Sequence, residues 1–265
     1  MTILDTIIAR TREDLPPRKR DTPVKRLRER IKALPPPLPF ASALRRPAGE
    51  KPRIIAEVKK ASPSKGLIRA DFQPAALAAR MARCGAAAIS CLTEPHWFQG
   101  DIAYLDAIRT RVCVPVLRKD FIVDPYQLLE ARAHGASAAL LIAAALESAQ
   151  YAALLHTALE LGLGILTEVH NERELEMVLP HHPSVIGVNS RDLNTFAVDL
   201  SVTAQLLAKI PGDTVKVAES GIRTASDINS LVAAGADTFL IGETLMRHSD
   251  PGAVLTELLE GCDAP

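Results

Sequence analysis

The segments CGAAAIS (84–90), HGASAAL (134–140) and AGADTFL (234–240) each place Gly-Ala between the end of an amphipathic stretch and a short apolar run. Their glycines, at 85, 135 and 235, stand 50 and 100 residues apart, or two and four units of 25. Glycine at such a joint takes the left-handed conformation that ends a helix. A chain that returns to the same helix-stop-strand joint builds parallel strands joined by helical crossovers. Apolar runs predict strands near 54–58, 86–92, 114–118, 138–142, 163–168, 184–189, 214–219 and 237–241. Helical patterns fall between them and after the last, near 251–260. Eight units of 25 need 200 residues, and 54–261 supplies 208. Parallel units of that number close into a (β/α)8 barrel, the TIM-barrel class of α/β fold. The competing arrangement, a doubly wound open sheet, would carry a Gly-rich first turn, and this sequence has none.

The first fifty residues have a different texture. Ile3, Leu4, Ile7 and Ile8 make one face of a short helix. TPVKRLRERIKAL predicts a second, with Thr22 as N-cap, Pro23 in the first helical position, and Val24, Leu27, Ile31 and Leu34 on one stripe. PPPLP at 35–39 stops any helix. The division expected is a helical N-terminal extension, 1–48, packing on a barrel, 49–265.

Composition narrows the class. With 48% hydrophobic and 23% charged residues the chain reads as soluble and globular, and 265 residues suit a single barrel. The longest apolar stretch, ASAALLIAAAL at 136–146, is too short to span a bilayer. The start, MTILDTIIARTRED, has neither a basic lead nor a cleavage site, so a cytoplasmic location is expected. Four scattered cysteines form no C-x-x-C pair, which points to reduced thiols and no metal site. Net charge is zero, but residues 1–50 carry +6 and the remainder −6. The basic arm lacks a nucleic-acid motif, and the expectation is a solvated helical face able to cover a mouth that holds an anionic ligand.

Barrel chemistry collects where strands end. Those ends read AEVKKASPS, CLTEPHWFQG, VLRKDF, LTEVH, GVNSRDL, VAESGI and LIGETL. Five carry a charged or amide residue at the point where a buried strand meets its loop. One such ending only returns the chain to water, but five converging on one mouth need another reason. Strand alternation sorts them by face. Ile55, Glu57 and Lys59 share one side; so do Leu117, Lys119 and Phe121; Leu166 and Glu168; Val185, Gly187, Asn189 and Arg191; Val215, Val217 and Glu219. Taking these as inward gives a mouth of nearly balanced, partly dry charges with coupled pKa values. Lys60 and Arg118, of opposite parity, are expected in solvent, and His96, His134, His156, His170 and His181 on the surface or in loops. The turns AESGI and LIGETL offer backbone N–H groups before helical segments, the place where barrels hold phosphate, with Ser62 or Ser64 adding a hydroxyl. From alternation alone, Glu57–Lys59 and Glu219 also fit a structural ion-pair network closing the barrel top.

The segments IIAEVKKASPSKG, LTEPHWFQG, PVLRKDFIVDPYQ, LTEVH, IGVNSRDL, VAESGI and LIGETLMR resemble the indole-3-glycerol phosphate synthase family of tryptophan biosynthesis, in order along the whole barrel. Two positions depart: Ser190, where many members carry a second Asn, and Trp97, where a smaller aromatic is usual. The resemblance implies ring closure of 1-(2-carboxyphenylamino)-1-deoxyribulose 5-phosphate, with loss of carbon dioxide and water and no cofactor. It implies Lys119 as general acid at the ketone, Lys59 at the substrate carboxylate, and Glu168 as second acid/base. Glu57, Asn189, Arg191 and Glu219 would orient and balance these groups. Ser62, Ser220, Gly221, Gly242 and Glu243 would hold the phosphate, and Phe98 and Phe121 would sandwich the aromatic ring. The implied partner is this small phosphosugar-anthranilate substrate, with no nucleic acid and no membrane; the residues specify no association with other enzymes of the pathway. Two other readings stay open on the residues alone: a phosphosugar isomerase, which would not need two mouth lysines, and a catalytically silent phosphate-binding barrel.

Overall fold

The computed structural model describes residues 2–191 and 199–263. Asp192 and Leu193 of the segment IGVNSRDL therefore lie outside the described residues. Eight parallel strands close a barrel: β1 (Arg53–Val58), β2 (Ala88–Leu92), β3 (Val116–Lys119), β4 (Ala138–Ile142), β5 (Gly164–Val169), β6 (Val185–Asn189), β7 (Val215–Glu219) and β8 (Thr238–Ile241). Each pairs with its neighbours in sequence, and β8 closes on β1 in the register Arg53↔Thr238 to Ala56↔Ile241. Three helices precede the barrel: α1 (Ile3–Asp21), α2 (Val24–Lys32) and α3 (Phe40–Leu44). Around it run α4 (Pro74–Arg83), α5 (Ala103–Arg109), α6 (Pro125–Ala133), α7 (Ser148–Glu160), α8 (Glu172–Val178), α9 (Leu200–Leu207), α10 (Ala225–Ala233), α11 (Glu243–Met246) and α12 (Pro251–Glu260). None of these helices is long and apolar enough to cross a membrane.

The period of two along each strand divides the core in two. Ile55, Leu117, Leu140, Leu166, Val185, Val217 and Leu240 fill the barrel interior. Ile54, Ala56, Val58, Ile89, Ala139 and Leu141 pack outward beneath the helices. The inward faces are those expected from alternation. Gly85, Gly135 and Gly235, with φ of +99°, +79° and +99°, end the turns after α4, α6 and α10. The left-handed joint that repeats in the sequence repeats in the fold.

The N-terminal helices depart from expectation in their boundaries. The first does not stop early but runs to Asp21 through Pro16 and Pro17. Its tail is held from outside: the carbonyls of Arg18 and Thr22 each lie 2.8 Å from Tyr126 Oη, and Arg18 Nε donates to Glu130 Oε1 at 3.1 Å. Tertiary contacts outweigh the local penalty of proline. Thr22 consequently ends α1 rather than starting α2, and Pro23 becomes the N-cap of α2 instead of its first residue.

These helices reach both ends of the barrel. Ile3, Leu4 and Ile7 of α1 line the cavity at the C-terminal ends of the strands. Phe40 and Leu44 of α3 join the interior core from the other end. Gly164, opening β5, makes room there, since a Cβ on it would lie 2.7 Å from the Cβ of Phe40. Thr238, opening β8, donates its hydroxyl to the Leu44 carbonyl at 2.7 Å.

Arg118 is not solvated, as its outward parity had suggested, but fully buried. Outward in a barrel means beneath the helical layer, where a charge must be paired and hydrogen-bonded. Its Nη2 donates to Asp120 Oδ2 at 2.8 Å, Nη1 to the Gln127 carbonyl at 2.6 Å, and Nε to Thr93 Oγ1 at 3.2 Å. Glu130 lies 3.4 Å from Nη1 and also pairs with Arg18 of α1. Lys60, the other residue of that parity, is half-buried.

The packing of α3 gives a stability prediction. Phe40→Ala should cost about 3–5 kcal/mol, the usual range for emptying a buried aromatic site. Turnover per folded molecule should be unaffected, because the mouth lies at the opposite end. Urea unfolding with parallel kinetics checks both parts; a loss below about 1 kcal/mol would mean that the floor does not depend on this ring.

Candidate active site

The inward residues at the strand ends meet in one cavity of about 850 Å³. All fourteen site residues expected from the sequence line it: Glu57, Lys59, Ser62, Phe98, Lys119, Phe121, Glu168, Asn189, Arg191, Glu219, Ser220, Gly221, Gly242 and Glu243. Shared lining decides that they form one site rather than separate turns. Arg223 and Arg247, which were not singled out from the sequence, line it too.

Charge organises the floor of this mouth. Lys119, ending β3, places Nζ 3.3 Å from Glu168, 3.5 Å from Glu219 and 4.0 Å from Glu57. Lys59 lies 2.7 Å from the other oxygen of Glu57. All three carboxylates are buried. Burial alone would drive each of these groups toward its neutral form, and for all but Glu219 the neighbours decide otherwise. Lys119 is raised well above the ordinary lysine range, because Glu168, Glu219 and Glu57 outweigh burial. Glu57 is lowered against burial by Lys59 and then Lys119. Glu168 is held far below the carboxylate range, again against burial, by Lys119 and His170. Glu219 moves the other way: burial, then the adjacent Glu168 charge, push it up to about 8. Four groups in one mouth thus hold three kinds of proton state: a firm cation, two firm anions and a neutral acid.

Two glycines are required by these side chains. A Cβ on Gly187 would lie 2.1 Å from Glu219 Oε1, and one on Gly242 would lie 2.3 Å from Glu57 Oε1. Gly242, expected only as part of a phosphate cradle, is therefore also the space into which Glu57 folds. The turn after β7 is left-handed at two successive residues, Ser220 at φ +65° and Gly221 at φ +74°. Ser190 anchors it: its hydroxyl lies 3.0 Å from the Glu219 carbonyl and 3.2 Å from that of Ser220. At the rim, Glu243 lies 2.9 Å from Arg247, 3.8 Å from Arg191 and 3.9 Å from Lys65.

The aromatic wall is built by carboxylates that face backbone. Glu94 accepts the N–H groups of His96 at 2.8 Å, Trp97 at 2.7 Å and Phe98 at 3.0 Å, which folds the loop after β2 around itself. Asp120 Oδ1 accepts the Phe121 N–H at 2.8 Å. The Phe98 and Phe121 rings lie 6.0 Å apart, tilted by 42°, so they pack on each other. The expected sandwich requires the rings to part; as placed, they offer a continuous wall. Trp97 packs edge-on against His96, and His96 in turn lies 2.7 Å from Asp14 of α1.

His170 is a side chain at the edge of this site that the sequence reading did not place there. Expected on the surface or in a loop, it stands in the loop after β5 but is nearly buried behind Glu168, with Nε2 3.4 Å from Glu168 Oε1. The signal was present in LTEVH, where residues 166, 168 and 170 share one parity.

The family model described as indole-3-glycerol phosphate synthase matches residues 4–258. A relative bearing that name in Chromobacterium violaceum is 48% identical over 257 residues, covering 97% of this chain and 97% of its own. Another, from Campylobacter curvus, is 46% identical over 260 residues, 98% of this chain and 100% of that one. Among solved structures, a 3-hexulose-6-phosphate synthase superposes with a TM-score of 0.64 at 14% identity, over 79% of this chain and 99% of that one, a likeness of fold alone. With the family match running through all eight strands and their loops, the chain belongs to the indole-3-glycerol phosphate synthase family.

Proposed function

We propose that Lys119 is the general acid in the reaction this chain catalyses, the conversion of 1-(2-carboxyphenylamino)-1-deoxyribulose 5-phosphate to indole-3-glycerol phosphate in tryptophan biosynthesis. The observation that carries this reading is the position of its ammonium, 3.3 to 4.0 Å from three buried carboxylates at the base of the cavity. In the first step the ring carbon bearing the carboxylate attacks the ketone carbon. Negative charge develops on the ketone oxygen, and Lys119 stabilises it and donates a proton. Its raised pKa is no obstacle, because an alkoxide is more basic than an amine. Breaking the bond to the carboxylate releases carbon dioxide and restores the aromatic ring. The new hydroxyl then leaves as water on taking a proton, while a base removes a proton from the adjacent methylene, and the indole results.

Glu168, held as a carboxylate, is the group suited to that removal. Lys59 meets the substrate carboxylate and supplies the proton to the leaving hydroxyl, with Glu57 aligning its ammonium at 2.7 Å. Asn189 and Arg191 orient the substrate from the end of β6. Ser62, the backbone at Ser220–Gly221 and Gly242–Glu243, and the neighbouring Arg223 and Arg247 suit the phosphate. The paired rings of Phe98 and Phe121, which line the same cavity, suit the aryl group.

Replacing Lys119 with Met should lower kcat by about 10²–10⁴-fold while circular dichroism stays at the parental spectrum. A folded Lys119→Met protein with parental turnover would overturn the assignment.

The two lysines of AEVKK should separate cleanly. Lys59→Met should lose most activity, since a partly desolvated charge contact disappears. Lys60→Met should stay within a fewfold of the parent, because Lys60 is not part of the cavity lining. Steady-state kinetics on both decide; greater damage at Lys60 would reverse the inward face of β1.

Glu219 gives the pH dependence. Its carboxyl pKa is raised, so it is protonated below about 8 and becomes charged as pH rises through that value. A new anion beside Lys119 and Glu168 makes Lys119 a poorer donor, so kcat/KM should fall above about pH 8. In Glu219→Gln that alkaline limb should disappear. A limb unchanged in the variant would assign it to another group.

A further inference from the structure

His170 ends the run of inward residues on β5 but does not line the cavity, and the reaction scheme gives it no proton to move. Its side chain is only 9% exposed, with Nε2 3.4 Å from Glu168 Oε1 and Nδ1 3.1 Å from Glu174 Oε2. Glu174, on α8, is itself fixed. Its Oε2 accepts the His170 backbone N–H at 2.7 Å, its Oε1 accepts Asn171 Nδ2 at 2.6 Å, and its N–H donates to Asn171 Oδ1 at 3.0 Å. A carboxylate oxygen thus lies within ion-pair distance of each ring nitrogen, hydrogen-bonded at Nδ1 and in electrostatic contact only at Nε2. A neutral imidazole has one N–H and turns a lone pair toward the second carboxylate; an imidazolium presents an N–H to both. The arrangement selects the charged form. Burial opposes that charge, and Glu168 with Glu174 outweigh it, pushing the ring up to about 10.

The consequence falls on Glu168 and Glu219. Each oxygen of Glu168 has its own cation, Lys119 at 3.3 Å from Oε2 and His170 at 3.4 Å from Oε1. Glu219 has one cation, Lys119 at 3.5 Å from Oε2; Glu168 Oε2 and Glu219 Oε1 are alike in having no hydrogen-bond partner among the described residues, so the number of nearby cations is what separates the two groups. Two adjacent buried carboxyl groups do not both ionise readily, so a proton settles on the one with less positive charge around it. We propose that His170 is a positioning residue, a fixed positive charge behind Glu168 that keeps Glu168 ionised and leaves the proton of the pair on Glu219. The charged groups facing the ring are Glu168 from β5 and Glu174 from α8, with Lys119 of β3 and Glu219 of β7 beyond Glu168. In that state three carboxylates (Glu57, Glu168, Glu174) face three cations (Lys59, Lys119, His170), and the charges of this cluster balance. Without the imidazolium the two glutamates compete for the proton, and fewer molecules hold Glu168 as a base. This rests on the reading of Glu168 as the acid/base of the ring closure.

Two measurements test it. In the parent protein, NMR of the imidazole should show His170 still charged at pH 8, losing its proton near pH 10, with a lower midpoint in Glu174→Gln. In His170→Gln, kcat should fall at least about tenfold, the effect of a one-unit change in where the proton sits, with KM within about twofold. The acid limb of its kcat/KM profile should move to higher pH as Glu168 becomes easier to protonate. The double variant Glu168→Gln/His170→Gln should be no slower than Glu168→Gln alone. A His170 midpoint near the ordinary value of about 6.5, or a His170→Gln enzyme with parental kcat and an unmoved acid limb, would overturn the proposal. A Glu168→Gln enzyme with full activity, beside a His170 that titrates high, would instead overturn the catalytic reading of Glu168 and leave the charge placement standing.

Discussion

The ion cluster around Lys119 sets the terms for the rest of the mouth. Taking one ammonium and several carboxylates out of water is costly unless they are paired closely, and leaving any one unpaired is worse. That requirement reaches into the backbone. Glu219 and Glu57 can fold toward Lys119 only because Gly187 and Gly242 carry no Cβ at those points. It also reaches across the sheet: Glu168 pairs in register with Gly187, and Asn189 with Glu219, so neighbouring strands present their functional residues at one level. A closed barrel of eight strands supplies this convergence, because alternate side chains from every strand point to a common axis.

The same chemistry separates the carboxylates of the ion cluster from those that shape loops. Glu57, Glu168 and Glu219 face cations or each other inside the cavity. Glu94 and Asp120 sit as close to the strand ends, but their oxygens are engaged by backbone N–H groups or by Arg118. Those two shape the loops that present Phe98 and Phe121. Residue type and position do not distinguish the two sets; hydrogen-bond partners do.

How far the sequence revealed this depended on whether a local period carried the information. Alternation along β1, β3 and β7 was enough to aim Glu57, Lys59, Lys119 and Glu219 into one cavity. The spaced glycines were enough to count the strands. Arg118 was misplaced because parity gives a direction, not an environment: away from the axis lies a packed helical layer, and its partners Glu130 and Thr93 come from distant segments. His170 was overlooked because alternation was followed only to Glu168, the end of the apolar run, although the side-chain pattern continues two residues further. The N-cap of α2 was misjudged by one residue because long-range contacts from Tyr126 and Glu130 hold α1 through two prolines.

The N-terminal helices explain why the mouth charges interact so strongly. Phe40 and Leu44 fill the barrel from below, and Ile3, Leu4 and Ile7 contribute apolar surface to the cavity from above. The layer of Glu57, Lys119, Glu168 and Glu219 thus rests on apolar groups toward the barrel interior, and burial there strengthens the interaction of one charge with the next. The extension is also tied to the strand that carries Lys119. Arg18 of α1 pairs with Glu130, Glu130 with Arg118, and Arg118 with Asp120, so that Lys119 stands between two members of one buried chain of charges. Removing a link would leave a buried charge uncompensated at the C-terminal end of β3. The helices that look like an appendage in the sequence therefore help to set both the dielectric in which Lys119 works and the backbone from which it projects.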